Sequence, residues 1–173
     1  MGHHINALIG SRQALANLIA RFGSPAPTEL PFDLVIVPLG EERLDMIAMS
    51  VEAPFDGFTY LKTKMAEEIG KAAGEGRLLY IETDYFGGSG GQSAALFENG
   101  TLSWKGAEST FDSVATTSLL TRLFKRSSVT AKSPISQGLA KLGVIVEEER
   151  DEFDQVGLGR FRSLETLGLG YDD

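Results

Sequence analysis

The chain has 173 residues, 42% of them apolar and 23% charged, and carries a formal charge of −8. A chain of that length suits one domain spanning residues 1–173 with a substantial core, and the balanced composition argues against disordered or fibrous material. The complete lack of cysteine rules out disulfides, thiolate metal sites and a cysteine nucleophile, and points to a reducing, cytoplasmic setting.

The start has none of the basic, apolar and small-residue pattern of a secretory signal. His3 and His4, which follow Met1-Gly2, fit the remnant of an expression tag, so residues 1–5 are set apart as a tag remnant or disordered end and given no chemistry. Leu8, Leu15, Leu18, Ile19 and Phe22 recur at helical spacing and predict a first helix that Gly23 ends. Residues Ser24 to Pro31 read as a connector. Asp33 to Leu39 is continuously apolar and β-branched, which predicts a strand buried on both faces near the sheet centre. At six residues from Leu34 and interrupted by Pro38, this longest apolar run is far too short to span a bilayer.

A short helix follows, with Glu41 and Glu42 in its first turn and Leu44, Ile47, Ala48 and Val51 inward, closed by Pro54. The strongest helical pattern is Phe58, Leu61, Met65, Ile69 and Ala72, with Asp56 as cap and Glu67 and Lys71 paired outside. Leu78–Phe86 and Gln92–Phe97 read as strands flanking a glycine-rich turn at 87–93, and Asn99-Gly100 predicts a tight hairpin into Thr101–Trp104. Two helices are expected next. One carries Val114, Leu119, Leu120, Leu123 and Phe124; the other runs from Ser133 to Leu142, with Ser133 capping, Pro134 opening and Gly143 closing it. Val144 to Val146 reads as a short strand. The expected fold is therefore α+β, with a small, largely antiparallel mixed sheet of about four to five strands packed with about five helices.

Residues 147–173 form an irregular acidic segment. From residue 145 onward there are nine acids against three arginines, so most of the negative charge lies at this end. Nucleic acid is disfavoured as a partner, because binding it needs a cationic footprint, and the small cluster Arg122, Lys125 and Arg126 is outweighed.

The stretch YIETDYFGGSGGQS, Tyr80 to Ser93, is the most distinctive. It lacks the lysine and following helix of a phosphate-binding loop, the dinucleotide fingerprint and a serine elbow, so no cofactor is implied. Alternation puts Tyr80, Glu82 and Asp84 on one face of a strand and Leu79, Ile81 and Tyr85 on the other. A solvated sheet face accounts for those carboxylates. The alternative is a pocket in which Glu82, Asp84, Gly88, Gly90, Gln92 and Ser93 meet Asp154, Arg160 and Arg162, where crowded carboxylates assist acid-base work or bind a ligand. Asp151, Glu152 and Asp154 do not follow the calcium-loop spacing, so no metal is assigned. Trp104, a lone tryptophan, reads as core before it reads as a partner anchor.

The segments LLYIETDYFGGSGGQSAALFENG, SPISQGLAKLGV and DEFDQVGLGRFRSLE resemble those of a family of small bacterial proteins with no assigned activity. The resemblance covers about the last 100 residues and implies no catalytic residue; it implies only that the glycine turn and the tail belong to one site. The functional expectation is a non-enzymatic binding protein, of the immunity or antitoxin kind, whose acidic surface meets a basic protein partner. The alternative is a carboxylate-based enzyme or small-ligand protein with its site at the glycine-rich turn.

Overall fold

A computed structural model describes residues 3–23, 26–48, 52–86, 89–109, 132–146 and 150–169. Six strands make one antiparallel sheet: β1 (His3–Ser11), β2 (Thr28–Glu29), β3 (Leu34–Pro38), β4 (Arg77–Phe86), β5 (Ser89–Glu98) and β6 (Thr101–Ser109), in the order β2-β3-β1-β4-β5-β6. The α-helices are α1 (Arg12–Phe22), α2 (Glu41–Ala48), α3 (Thr63–Ala73), α4 (Pro134–Leu142) and α5 (Glu152–Gln155), followed by two 3-10 turns, Leu158–Arg160 and Leu164–Leu167. The α+β architecture holds, with six strands rather than four to five and every described pairing antiparallel.

Both faces of the sheet are covered. Leu8, Tyr80, Ala95 and Phe97 bury one face against Leu15 and Leu18 of α1, Leu44 and Ile47 of α2, and Met65 and Ile69 of α3. Ile5, Ala7, Ile9, Leu79, Ile81 and Leu96 bury the other against Ile135 and Leu139 of α4 and Val156, Leu158, Phe161 and Leu167 of the C-terminal segment. The two sets alternate along each strand because successive side chains leave the backbone on opposite sides. Each buried aliphatic side chain of this kind contributes roughly 1.5–3 kcal/mol of transfer free energy, an upper estimate for a chain already partly collapsed when unfolded.

The start of the chain departs most from the helical reading. Residues 3–11 form a central strand, and the helix begins only at Arg12, where the Ser11 hydroxyl accepts the Ala14 N–H as a cap. Leu8 shares the α1 stripe in sequence but reaches the same core from the sheet. The end set apart as a tag remnant therefore supplies strand residues: His3 pairs with Tyr85, His4 with Asp84 and Ile5 with Thr83. Consequently β3 lies one strand from the edge rather than at the centre, although it is buried throughout, as its β-branched run predicts.

The helix expected from Asp56 starts instead at Thr63, with Lys62 before it and no capping side chain. Phe58 and Leu61 are buried, but from a loop. The outer pair is Lys71 with Glu68 at 2.8 Å, not with Glu67. Glycine-rich turn residues 89–91 join β5, which therefore begins three residues earlier than expected, while β4 ends at Phe86 as expected. Asn99 and Gly100 both have positive φ, at 51° and 78°, and close the β5–β6 turn as anticipated. Ser133, Pro134 and Gly143 punctuate α4 as anticipated. No strand forms at 144–146, where Val144 is buried and Ile145 is 75% exposed. Val51, Gly88 and the helix expected around Val114 to Phe124 lie outside the described residues. Among the described residues no helix is long and apolar enough to cross a membrane.

Candidate functional site

Glu82 organises the region where the sheet meets the loop between α2 and α3. It projects from β4 toward the helix-covered face and is 5% exposed. Its Oε1 accepts N–H groups from Tyr60 at 3.0 Å and Leu61 at 2.9 Å, and the Tyr80 hydroxyl at 2.8 Å. Its Oε2 accepts the Thr59 N–H at 2.6 Å. Four donors on one carboxylate satisfy a group that would be costly to bury unpaired. They also explain why residues 59–61 are loop: their amides bond to the sheet.

A second tether comes from β5, where the Ser93 hydroxyl donates to the Gly57 carbonyl. Gly57 has φ 78°, and a Cβ there would lie 2.3 Å from the Cβ of Ala107 on β6. Only glycine lets the loop rest this closely on the strand.

Between loop and sheet lies a concavity of about 660 Å3. Its origin is visible in the strand register. One row across the sheet is His4, Asp84, Gly91 and Ser109; the next is Asn6, Glu82, Ser93 and Ala107. The β5 and β6 positions of both rows are small, so space opens there beneath residues 56–60, while Lys105 closes the far side. The volume lies within the range typical of small-molecule sites.

The polar groups are unevenly committed. Asp56 and Asp84 are exposed at the rim, and Asp84 lies 3.7 Å from His4. The Lys105 ammonium stands 4.7 Å above the Phe55 ring. Asn6 is only 2% exposed and lines the concavity.

The structure joins some sequence candidates and separates others. Glu82, Asp84 and Ser93 line the concavity, and Gly91 of the glycine turn forms part of its floor. Tyr80 is fully buried beneath it, where burial first and the Glu82 charge second hold its phenol well above the usual tyrosine range. Gly90 allows close approach to β4, since a Cβ would lie 2.0 Å from the Asp84 carbonyl oxygen. The Gln92 amide donates to Glu108 at 2.7 Å and to the Tyr85 hydroxyl at 3.3 Å. The wet sheet face expected for Tyr80 and Glu82 is thus a roofed one.

Asp154, Arg160 and Arg162 do not line it, because their segment packs on the opposite face. The Arg160 guanidinium stacks over Phe161 at 4.6 Å and donates to the Glu29 carbonyl at 3.0 Å, and the Arg162 carbonyl accepts the His4 N–H at 2.9 Å. Asp154 lies in α5, where its N–H is capped by the Asp151 carboxylate at 2.8 Å. Nor is the segment simply solvated: Glu152 is 1% exposed and pairs with Lys132. Trp104 lies against the apolar cluster on this second face, partly buried.

Asn6, Asp56 and Lys105 escaped the sequence reading. Asn6 was detectable as the polar residue in Ile5 to Ile9, where Ile5, Ala7 and Ile9 alternate at strand spacing. Asp56 fitted a helix cap too well, and Lys105 lay just beyond the expected end of its strand. No protein family, curated protein or solved structure matches the chain.

Proposed function

We propose that the chain is a binding protein rather than an enzyme, and that the concavity beneath residues 56–60 receives a small ligand bearing a cationic amine. The roofed concavity itself carries this reading, with Asn6 only 2% exposed on its wall and the Asp56 and Asp84 carboxylates on its rim, because an enclosed space lined by a few placed polar groups is the usual form of a small-ligand site. The rim carboxylates of Asp56 and Asp84 supply the preference for positive charge. Binding is favoured over catalysis because the side chains suited to chemistry are occupied: Glu82 accepts four donors and the Ser93 hydroxyl is donated to Gly57.

Titration of n-butylamine into the 15N-labelled protein tests the reading. Amide shifts centred on Asn6, Gly57 and Asp84, reduced in Asp84→Asn, support it. Unchanged spectra at high millimolar amine overturn it.

A basic protein partner, met by the acidic surface in the manner of an immunity protein, is the second reading. It is supported by the net charge of −8 and the exposed rim carboxylates. Retention of a basic partner from lysate at low salt and its release at high salt support it, and no retained basic protein at low salt counts against it.

A further inference from the structure

We infer that the ligand of this concavity is a zwitterion with its charges at opposite ends, as in an extended peptide of about three residues with free ends. The inference rests on the small-ligand reading and names the ligand class.

The walls carry opposite charge. Asp84 stands on β4, and Lys105 stands two strands away on β6. Lys105 has the Phe55 ring beneath its ammonium but no carboxylate in ion-pair reach among the described residues. A ligand with only an amine would satisfy Asp84 while bringing like charge toward Lys105. One with an anionic group at its other end satisfies both walls.

The strand register sets the distance. Asp84 pairs with Gly91, and Lys105 pairs with Ala95, four residues further along β5. With strands about 4.8 Å apart and residues about 3.4 Å apart along a strand, the two Cα positions are separated by roughly 16 Å. Both side chains rise from the same face of the sheet, so a ligand that meets both must reach across most of this span. A single α-amino acid, whose ammonium and carboxylate share one carbon, is too short. Three extended residues span about 10 Å of it, and the flexible four-carbon stem of Lys105 reaches across the remainder.

Asn6 fits the same ligand. It occupies the row next to Asp84, on the same face of the sheet, where its amide has both a donor and an acceptor to offer a peptide group. A peptide bond placed between the two charged ends presents the complementary pair.

Triglycine, triglycinamide, N-acetyltriglycine, glycine and n-butylamine are the probes, each titrated into the full chain by NMR. Triglycine is expected to bind at least tenfold more tightly than glycine or n-butylamine. Amidation of its carboxylate and Lys105→Gln should each remove most of that advantage, and their losses should not add, since both delete the same ion pair. Acetylation and Asp84→Asn should behave likewise at the other end. Lys105 is solvent-exposed, and the spectrum of Lys105→Gln itself reports whether the fold is kept. If n-butylamine binds as tightly as triglycine, or if Lys105→Gln leaves triglycine affinity unchanged, the zwitterion is overturned while the amine site stands. Absence of binding by every probe sinks both.

Discussion

Tyr80 and Glu82 stand two residues apart on one face of β4, and the fully buried phenol donates a 2.8 Å hydrogen bond to the same carboxylate oxygen that accepts the Tyr60 and Leu61 amides. Sheet core and roof loop are therefore joined through one oxygen atom. The loop has hydrogen bonds of its own, Phe55 N–H to the Leu61 carbonyl and Phe58 N–H to the Phe55 carbonyl, both 2.9 Å, which close it into a compact turn. Its attachment to the sheet depends on Glu82 and Ser93.

Glu82→Gln is expected to loosen that attachment. The carboxamide keeps one acceptor oxygen and turns an NH2 donor toward backbone donors, so at least one N–H loses its partner. Hydrogen bonds to a charged acceptor are the stronger kind, and the expected loss is roughly 2–4 kcal/mol. Urea unfolding should show a lower midpoint, and hydrogen exchange at Thr59, Tyr60 and Leu61 should quicken more than in the core of β4. Unchanged exchange at those three amides would refute the tether.

Tyr80 makes the fold sensitive to alkali. Burial, and then the neighbouring Glu82 charge, raise its folded-state pKa well above 10. The unfolded chain thus releases this proton near pH 10 while the folded chain retains it. Its contribution is intact below about pH 10 and declines as pH climbs toward the folded value. Tyr80→Phe should cost about 1 kcal/mol near neutrality through the lost hydrogen bond, and its stability should fall less between pH 9.5 and 11. Parallel urea midpoints for the two proteins across that range would show the phenol to be irrelevant.

How far these relationships were legible in the sequence depended on the range of the forces behind them. Strand β4, the Asn99-Gly100 turn and α4 with its Ser133 cap follow from neighbours within a few residues. The separation of Tyr80, Glu82 and Asp84 from Leu79, Ile81 and Tyr85 needed only alternation along a strand. What lay over Glu82 was not legible, because its partners at 59–61 are more than 20 residues away and donate through backbone N–H groups common to most residue types. The same long-range term misled the reading of Phe58 and Leu61, whose spacing suits a helix that the carboxylate draws into a loop. At the start of the chain, Leu8 lies seven residues before Leu15 and mimics a helical stripe. The Ser11 cap marks the true boundary. The tail's acids and arginines suggested a shared pocket, but the buried Val156, Leu158 and Phe161 bind that segment to the opposite face.

His3 places a weakness at mild acid. Its Nδ1 lies 2.8 Å from the Thr83 hydroxyl, and its ring lies 5.7 Å from that of Phe153, so it joins the C-terminal segment to the central strand. Burial holds its pKa below 6.5, and the positive charge of Arg162 adds to the depression. The unfolded chain therefore takes up a proton before the folded one does. Stability is full above about pH 6.5 and declines as pH falls from there toward the folded value. Replacement by Gln, which does not titrate, should flatten the melting temperature measured between pH 7.5 and 5. The prediction fails if His3→Gln follows the unmodified chain through that range.

Gly57 and Ala107 provide the most direct check on how the roof sits. In Gly57→Ala the new methyl would lie 2.3 Å from the Ala107 Cβ, and alanine would occupy a backbone position at φ 78°. Left-handed backbone costs a non-glycine residue about 1–2 kcal/mol, and relief of the clash should bring the total to roughly 2–4 kcal/mol. The two terms separate in a double-mutant cycle. Ala107→Gly removes the atom struck but leaves the dihedral strain, so Gly57→Ala should cost distinctly less in that background than alone. Urea unfolding of the four proteins measures the difference. Equal costs in both backgrounds would mean that the loop does not rest on β6, and the concavity beneath it would then have a different shape.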